Sequence, residues 1–463
     1  MSKRYLKSLI AIIVLLVLWF SFTRWNKHKG REEAQKARQT SAQKLLAAAS
    51  NQIDSFTLTT RDGATFTCAK QGNTWSITQP QPISADQSKI NSFLQSLTSA
   101  TEDQQIASNP SSLKDYGLDP PAETLAVTTA TIPRRFTLRL GDETPTSSGV
   151  YAQVAGRPDI FTVTDDVKTA LEKKLFDLRD TRAVTLSSDQ ISRIQVKNGN
   201  QSYTLAKNPD GVWDVSLPVS VRADHFTVEG LTDSLQSLTM QSIVSETKKD
   251  DPKYGFSKPT LTADLITPSG SQTLVIGKKA DQGYYAMNSA LAPVFTLDES
   301  SVSQFQKSAS DFRDKNLFSW DMFDVKSFEV TTPKGHWAFE QNKNQWKQTA
   351  PASKSMPSDD VNAFLSALRS LQAASFPAAQ PGQAGQAGQP GQTGQTGKMN
   401  QFGFNQPSYT FKVTFGAKNQ TEVVDVAEAN GKDYARRDSD ALPSEVSQST
   451  LAAIENTFQK ISK

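Results

Sequence analysis

From Ile53 onward, apolar and polar residues alternate along the chain. In "IDSFTLTTRDGATFTCAKQGNTWSIT" the alternation is interrupted around Asp62-Gly63 and Gly72-Asn73, so the stretch predicts three short strands joined by tight turns. The period then changes. In "SADQSKINSFLQSLTSA", Ile90, Phe93, Leu94 and Leu97 fall on one helical face, with Ser84 or Asp86 as the cap. Alternation resumes over Leu125 to Thr128, Phe136 to Leu140, Val150 to Val154 and Phe161 to Val163, and a last helix is expected from about Asp165 to Leu175. Strands and two helices in this order predict an α+β unit with a mainly antiparallel sheet.

The pattern is written three times. Trp75, Trp213 and Trp346 each precede a β-branched residue by 15 positions (Ile90, Val228, Val361), a large apolar one by 18 (Phe93, Leu231, Phe364) and a leucine by 22 (Leu97, Leu235, Leu368). A heptapeptide follows in each copy: "DYGLDPP" at 115–121, "KYGFSKP" at 253–259 and "QFGFNQP" at 401–407. Tyr116 and Tyr254 lie 19 residues after Leu97 and Leu235, whereas Phe402 lies 34 after Leu368. The difference falls in a Gly/Gln-rich insertion, 378–398, whose composition predicts a disordered surface loop. Its glycines recur every third position, but the triplets are few and poor in Pro, unlike those of a collagen helix.

Tyr151-Ala152, Tyr285-Ala286 and Tyr434-Ala435 recur on a late strand, and Arg179-Asp180 and Arg313-Asp314 follow the last helix of the first two copies. The third copy departs from the others: Val426 is expected where Gly141 and Gly277 stand, and no Arg-Asp follows. It is therefore expected to be the altered or capping copy. The repeat units are placed at 53–190, 191–324 and 325–463.

Ahead of the repeats, residues 8–23 read "SLIAIIVLLVLWFSFT", 16 uncharged residues flanked by Lys7 and Arg24. As a helix this run would be about 24 Å long, against a hydrocarbon core of about 30 Å. Snorkelling bases and interfacial Tyr5, Trp19 and Trp25 suit it to span. A cleaved signal peptide is the rival, but the following "SFTRWNKHKGR" is bulky and basic, without a small-residue cleavage site. The expected layout is a cytoplasmic tip (1–7), a transmembrane anchor (8–23), a helical stalk (24–52) and an extracytoplasmic body. Flanking bases counted alone would favour the opposite orientation, yet long domains translocate largely regardless of them. The expected location is a bacterial cytoplasmic (inner) membrane, crossed once.

Composition narrows the function classes. At 463 residues the chain has room for about three domains. Its 50 Lys plus Arg against 47 Asp plus Glu leave a formal charge of +3, too small to argue for a nucleic-acid partner. A single cysteine, Cys68, excludes an intramolecular disulfide framework, and with three histidines a zinc site is not expected. Cys68 reads as a small buried apolar residue. His225 is expected to face solvent on a helix, since Gln87 and Ser358 hold its place in the other copies. His28 lies in the basic segment after the apolar run and His336 in a strand-like stretch; neither has a partner at metal-ligand spacing. No phosphate loop, "HExxH", "GxSxG" or calcium loop is present. No catalytic, cofactor-binding or metal residue is therefore assigned, and no cofactor is expected.

The heptapeptide residues are the candidate structural or interaction positions: Tyr116, Gly117 and Pro121; Tyr254, Gly255 and Pro259; Phe402, Gly403 and Pro407. Each Gly is expected to supply a positive φ or a close backbone approach, each aromatic to fill a gap in the core, and each Pro to stiffen entry to a strand. Arg179-Asp180 and Arg313-Asp314 read as ion pairs or helix-end contacts rather than catalytic pairs.

The tandem Trp-to-helix spacing and the "YGLDPP"-type loops resemble the bacterial domain of unknown function 4340 family over nearly the whole chain. That resemblance implies an N-terminal anchor followed by such units, and a place beside gliding-motility-type ABC transporters and their membrane subunits; it brings no catalytic residues. The expected function is a membrane-anchored, non-enzymatic scaffold or interaction protein, an accessory of an ABC-transporter-associated envelope complex. The alternatives are a carbohydrate or small-ligand binding module using exposed Trp75, Trp213, Trp320 or Trp337, and an uncharacterised hydrolase.

Overall fold

A computed structural model describes residues 44–130, 134–248, 252–377 and 400–463. In it the chain forms two compact units, one ending at Thr181 and the other running from Arg182 to Lys463. The first unit holds one repeat and the second holds two.

Each repeat is a nine-stranded antiparallel sheet. In the first, β1 (Ile53–Thr60), β2 (Thr65–Gln71), β3 (Thr74–Gln79) and β4 (Ile83–Ser84) step outward to one edge. Helix α1 (Gln87–Ser99) then carries the chain across the sheet to β5 (Gln105–Ala107) at the opposite edge. After the heptapeptide loop, β6 (Glu123–Thr129) returns to pair with β1, and β7 (Arg135–Glu143), β8 (Gly149–Val154) and β9 (Ile160–Thr164) close the gap to β5. Two short helices, α2 (Asp165–Leu171) and α3 (Leu175–Leu178), finish the repeat. The spatial order β4-β3-β2-β1-β6-β7-β8-β9-β5 recurs in both later repeats. The alternating segments thus form the expected strands. The two edge strands β4 and β5 were not expected, being too short to show a period.

Helix α1 starts where Asp86 accepts hydrogen bonds from the backbone N–H of Ser88 (3.0 Å) and Lys89 (3.1 Å). Its apolar stripe, Ile90, Phe93, Leu94 and Leu97, is buried against the sheet. The spacing from tryptophan to helix is explained by the same packing. Trp75 and Phe93 both meet Phe56 of β1, with ring centroids 5.7 and 4.7 Å away. In the third repeat Trp346 and Phe364 meet Phe328 at 5.4 and 5.3 Å. Trp75, Trp213, Trp320 and Trp346 are all buried, and Trp337 is half-buried, its Nε1 donating to the Ser462 carbonyl (3.1 Å). The rings expected to be available for stacking on sugars are committed to the core. Cys68 is fully buried among them, and burial pushes its thiol up to about 12.

The repeats begin earlier than the alternation indicated. Leu45 and Leu46 are buried in the first core, and the Leu45 N–H donates to the Ala100 carbonyl (3.0 Å) just after α1. Ala183 in the second repeat and Leu317 in the third make the same bond to Leu238 (2.8 Å) and Leu371 (3.1 Å). A nine-residue lead-in ending in a short 3₁₀ turn (Ser50–Gln52, Ser188–Gln190, Met322–Asp324) therefore belongs to the repeat that follows it. The boundaries move from 190 and 324 to about 182 and 316. From Lys44 to Gln52 the expected helical stalk is replaced by this lead-in, because its leucines gain more by entering the core than by facing water. The anchor (8–23), the rest of the stalk and the whole Gly/Gln-rich insertion (378–398) lie outside the described residues.

The third repeat is altered, though not at Val426. Val426 pairs with Tyr409 as Leu140 pairs with Glu123 and Ile276 with Leu261, so Ala427 is the residue equivalent to Gly141 and Gly277. At those glycines the heptapeptide loop presses onto the strand: an added Cβ would lie 2.1 Å from the Tyr116 carbonyl oxygen and 1.9 Å from that of Tyr254. Both glycines sit in bulged hairpins. With Ala427 the bulge is lost, and the hairpin runs in register to a tight Asn430-Gly431 turn. Where the others end in short helices, the third repeat ends in a helix of 14 residues, Gln448–Ile461, whose Phe458 packs edge-on against Trp337 (5.2 Å).

The loop glycines have φ of +64° (Gly117), +76° (Gly255) and +84° (Gly403), as expected. At Gly255 a Cβ would also meet the Lys278 side chain at 2.5 Å. Gly255→Val should therefore cost roughly 1–3 kcal/mol and lower the melting temperature of the second unit in thermal unfolding. Unchanged stability would refute the structural role.

Candidate functional site

The heptapeptides lock loop to strand. Tyr116 packs edge-on against Tyr151 (5.1 Å), Tyr254 against Tyr285 (5.1 Å) and Phe402 against Tyr434 (4.9 Å), so the recurring aromatic and the recurring Tyr-Ala are two halves of one contact. Gly117, Gly255 and Gly403 turn the chain between them. Pro121 forms a bridge back to Leu118, Pro259 is exposed and Pro407 is half-buried. The three loops lie one per repeat.

A polar cluster forms instead where the second and third repeats meet inside the second unit. Arg222, on the edge strand Val221–Arg222, is its centre. Its Nε donates to Asp314 (2.8 Å), its Nη1 to Glu422 of the third repeat (2.8 Å) and its Nη2 to the Asn316 carbonyl (2.9 Å). Its backbone N–H donates to Asp440 (3.1 Å), and the Ala441 N–H donates to the Ser220 carbonyl (2.9 Å). Arg437, 4% exposed, binds Asp440 through Nε (3.1 Å) and the Asn316 carbonyl through Nη1. Glu422 also accepts from the Ser319 N–H (2.9 Å).

Arg313 and Asp314 do not pair with each other. Adjacent residues on an extended segment point to opposite sides, so Asp314 joins Arg222 while Arg313 turns to the third repeat and donates to the carbonyls of Leu442 (3.2 Å) and Pro443 (3.4 Å). The segment itself extends the edge of its own sheet, the Asp314 N–H donating to the Arg222 carbonyl (3.0 Å) as the Asp180 N–H does to Ser84 (2.9 Å). The pair expected to be a local contact is a connector.

Sheet register shows why the cluster was hidden in the sequence. Glu422 and Arg437 stand where the second repeat has Gln272 and Asn288 and the first has Phe136 and Val154. In the second repeat the same places make neutral bonds, Asn288 donating to Gln272 (3.1 Å) and to the Ala183 carbonyl (2.8 Å). One scaffold position is thus apolar, amide or charged according to the repeat. Sequence spacing could align these columns; only the fold showed that they face a neighbour.

Two clefts flank the cluster. One, of about 610 Å³, is lined by Asp214, Arg222, His225, Phe226, Arg369 and Asp440, among others. Burial raises the Asp214 carboxyl above its usual range, with the Asp440 charge adding to the effect. His225 faces solvent as expected, its Nε2 3.1 Å from Glu229. His336 lies on the strand Gly335–Asn342, its Nδ1 3.1 Å from the Thr331 hydroxyl. The other cleft, of about 690 Å³, has Tyr203, Arg313 and Phe376 in its walls. Among the described residues no three His, Cys, Asp or Glu side chains gather where they could hold a metal.

In the first unit, Glu123 occupies a core position held by Leu261 and Tyr409 in the other repeats, and it is 5% exposed. Burial, reinforced by the nearby Glu172 charge, pushes its carboxyl from 4.5 up to about 8.

These features define a class: a tandem antiparallel-sheet repeat protein whose repeated residues build the scaffold and whose divergent residues build the junction. The model of the family described as Domain of unknown function (DUF4340) matches residues 75–219 and 213–391, and the chain belongs to this family. Both matches begin at a recurring tryptophan on a third strand, so the family unit is out of phase with the structural repeat. No curated protein and no solved structure matches the chain.

Arg437→Met should destabilise the second unit by about 3–5 kcal/mol in urea unfolding, because it strips a buried Asp440 of its cation. Arg61→Ala, which removes a surface pair with Asp142 (2.7 Å), should cost less than about 1 kcal/mol. For Glu123 the folded value lies above the unfolded one, so its ionisation drains stability as pH rises from about 4.5 to about 8. Glu123→Leu should raise the melting temperature, by an amount that grows across that window and levels off above it; a gain independent of pH would contradict this.

Proposed function

We propose that this chain is a membrane-anchored, extracytoplasmic, non-enzymatic scaffold, an accessory of an ABC-transporter-associated envelope complex. The observation that carries the reading is the pairing of the apolar run at 8–23 with a body whose recurring residues are spent on packing and turn geometry. No helix among the described residues is long and apolar enough to cross a membrane, and the run itself lies outside them. The short apolar run with bases on both sides supports a single span of a bacterial cytoplasmic membrane, and residues 1–7 are put inside and the repeats outside because long domains translocate largely regardless of flanking charge. Three sheets in tandem offer a long series of surfaces to other envelope proteins, and family membership supports the transporter association through the resemblance described above.

The carbohydrate-stacking alternative loses its rings to the core. A hydrolase would need a nucleophile, a base and an orienting group within reach of one another.

Four measurements test the proposal. The protein should stay with membranes through an alkaline wash, and protease added outside spheroplasts should digest the repeats. Capture from gently solubilised membranes should recover ABC-transporter subunits. Release by the wash, protection from protease, or capture of the chain alone would each refute part of the reading, and hydrolytic turnover abolished by one polar substitution would overturn its non-enzymatic part.

A further inference from the structure

The larger junction cleft contains a cation that has no counter-ion among the described residues. Arg313 is 8% exposed and lines this cleft of about 690 Å³. Its Nη2 is committed to the two carbonyls of Leu442 and Pro443, and its guanidinium lies 4.1 Å from the Phe376 ring centroid. Among the described residues no carboxylate comes within ion-pairing distance, and Nε and Nη1 donate no hydrogen bond. Asp440, the carboxylate that acts on it from farther away, is already held by Arg437 (3.0 Å). The neighbouring Arg437 charge and burial together work against the Arg313 cation, and burial, the larger effect, pulls it down to about 10. A buried cation of this kind is costly until an anion arrives.

The rest of the cleft says which anion. One wall is apolar, with Val215, Pro218 and Pro377, and the rim carries the amides of Asn200 and Gln201 and the Ser310 hydroxyl. We propose that this cleft binds a carboxylate carried on an apolar, amide-bearing body, an acylated amino acid or the end of a short peptide, with Arg313 taking the carboxylate. With Nη2 held by the two carbonyls, Nε and Nη1 are left to donate a charge-assisted hydrogen bond to a carboxylate oxygen, while the apolar wall disfavours strongly hydrated anions such as phosphate. This site is independent of the scaffold reading, and its test does not use a membrane partner.

The experiment is calorimetric titration of the full-length chain with N-acetyl-Ala-Leu as the free acid, with its C-terminal amide and with inorganic phosphate. The acid should bind saturably, and the amide and phosphate at least tenfold more weakly. Gln201→Glu adds a negative charge at an exposed rim position and should weaken the acid at least tenfold with an unchanged melting temperature. Arg313→Gln should abolish binding; if it also lowers stability, the Gln201 variant carries the decision. Absence of saturable acid binding, equal binding of acid and amide, tighter binding of phosphate, or an unaffected Gln201→Glu variant would each overturn the proposal.

Discussion

Each repeat depends on burying one face of its crossing helix against one face of an antiparallel sheet. The helix must cross from one sheet edge to the other, because β4 and β5, the strands on either side of it in sequence, are the two ends of the sheet. That crossing fixes the distance from tryptophan to helix stripe. An inserted residue would rotate the stripe by about 100° and turn Phe93 or its equivalents away from the sheet. The same demand recruits the lead-in dipeptides: Leu45-Leu46, Ala183-Val184 and Leu317-Phe318 all enter the cores from a segment that shows no alternation of its own. Burial of apolar area, roughly 25 cal/mol per Å², is the term large enough to enforce this geometry three times.

Against that fixed frame, the second constraint is the approach of the heptapeptide loop to the neighbouring strand. Where glycine stands at Gly141 and Gly277, the loop carbonyl comes so close that no Cβ fits, and the strand bulges. Where Ala427 stands, the strand runs straight. The aromatic pairing survives both arrangements, at 5.1, 5.1 and 4.9 Å. Ring packing is therefore the invariant of the lock, and the glycine bulge is one of two ways to reach it.

The junction of the second and third repeats shows how such a frame acquires individuality. Arg222 replaces Ser84 and Ser355 at one edge, Glu422 and Arg437 replace uncharged residues at the facing one, and the result is a network of charge-assisted bonds. Because buried charges tolerate few alternative partners, this network specifies how its two repeats meet. It also leaves Arg313 beside a cleft with no carboxylate partner among the described residues, which gives this junction a chemistry that the repeated residues do not share.

By itself the sequence determined the repeat number, the period, the main strands, the first helix with its buried face and cap, and the left-handed glycines. All of these follow from local periodicity or from the φ a turn requires. Only the tertiary structure decided the rest. The edge strands are too short to show a period; the lead-in joins its repeat through contacts some 55 residues distant in sequence, as Leu45 does with Ala100. The equivalence of Ala427 with the glycines depends on register rather than on letter matching. The junction escaped for the opposite reason: its residues are those that differ between copies, so a search for what repeats passes over them. Charge at Glu422, Arg437 and Arg313 acquires meaning only when burial removes water and leaves another repeat as the partner.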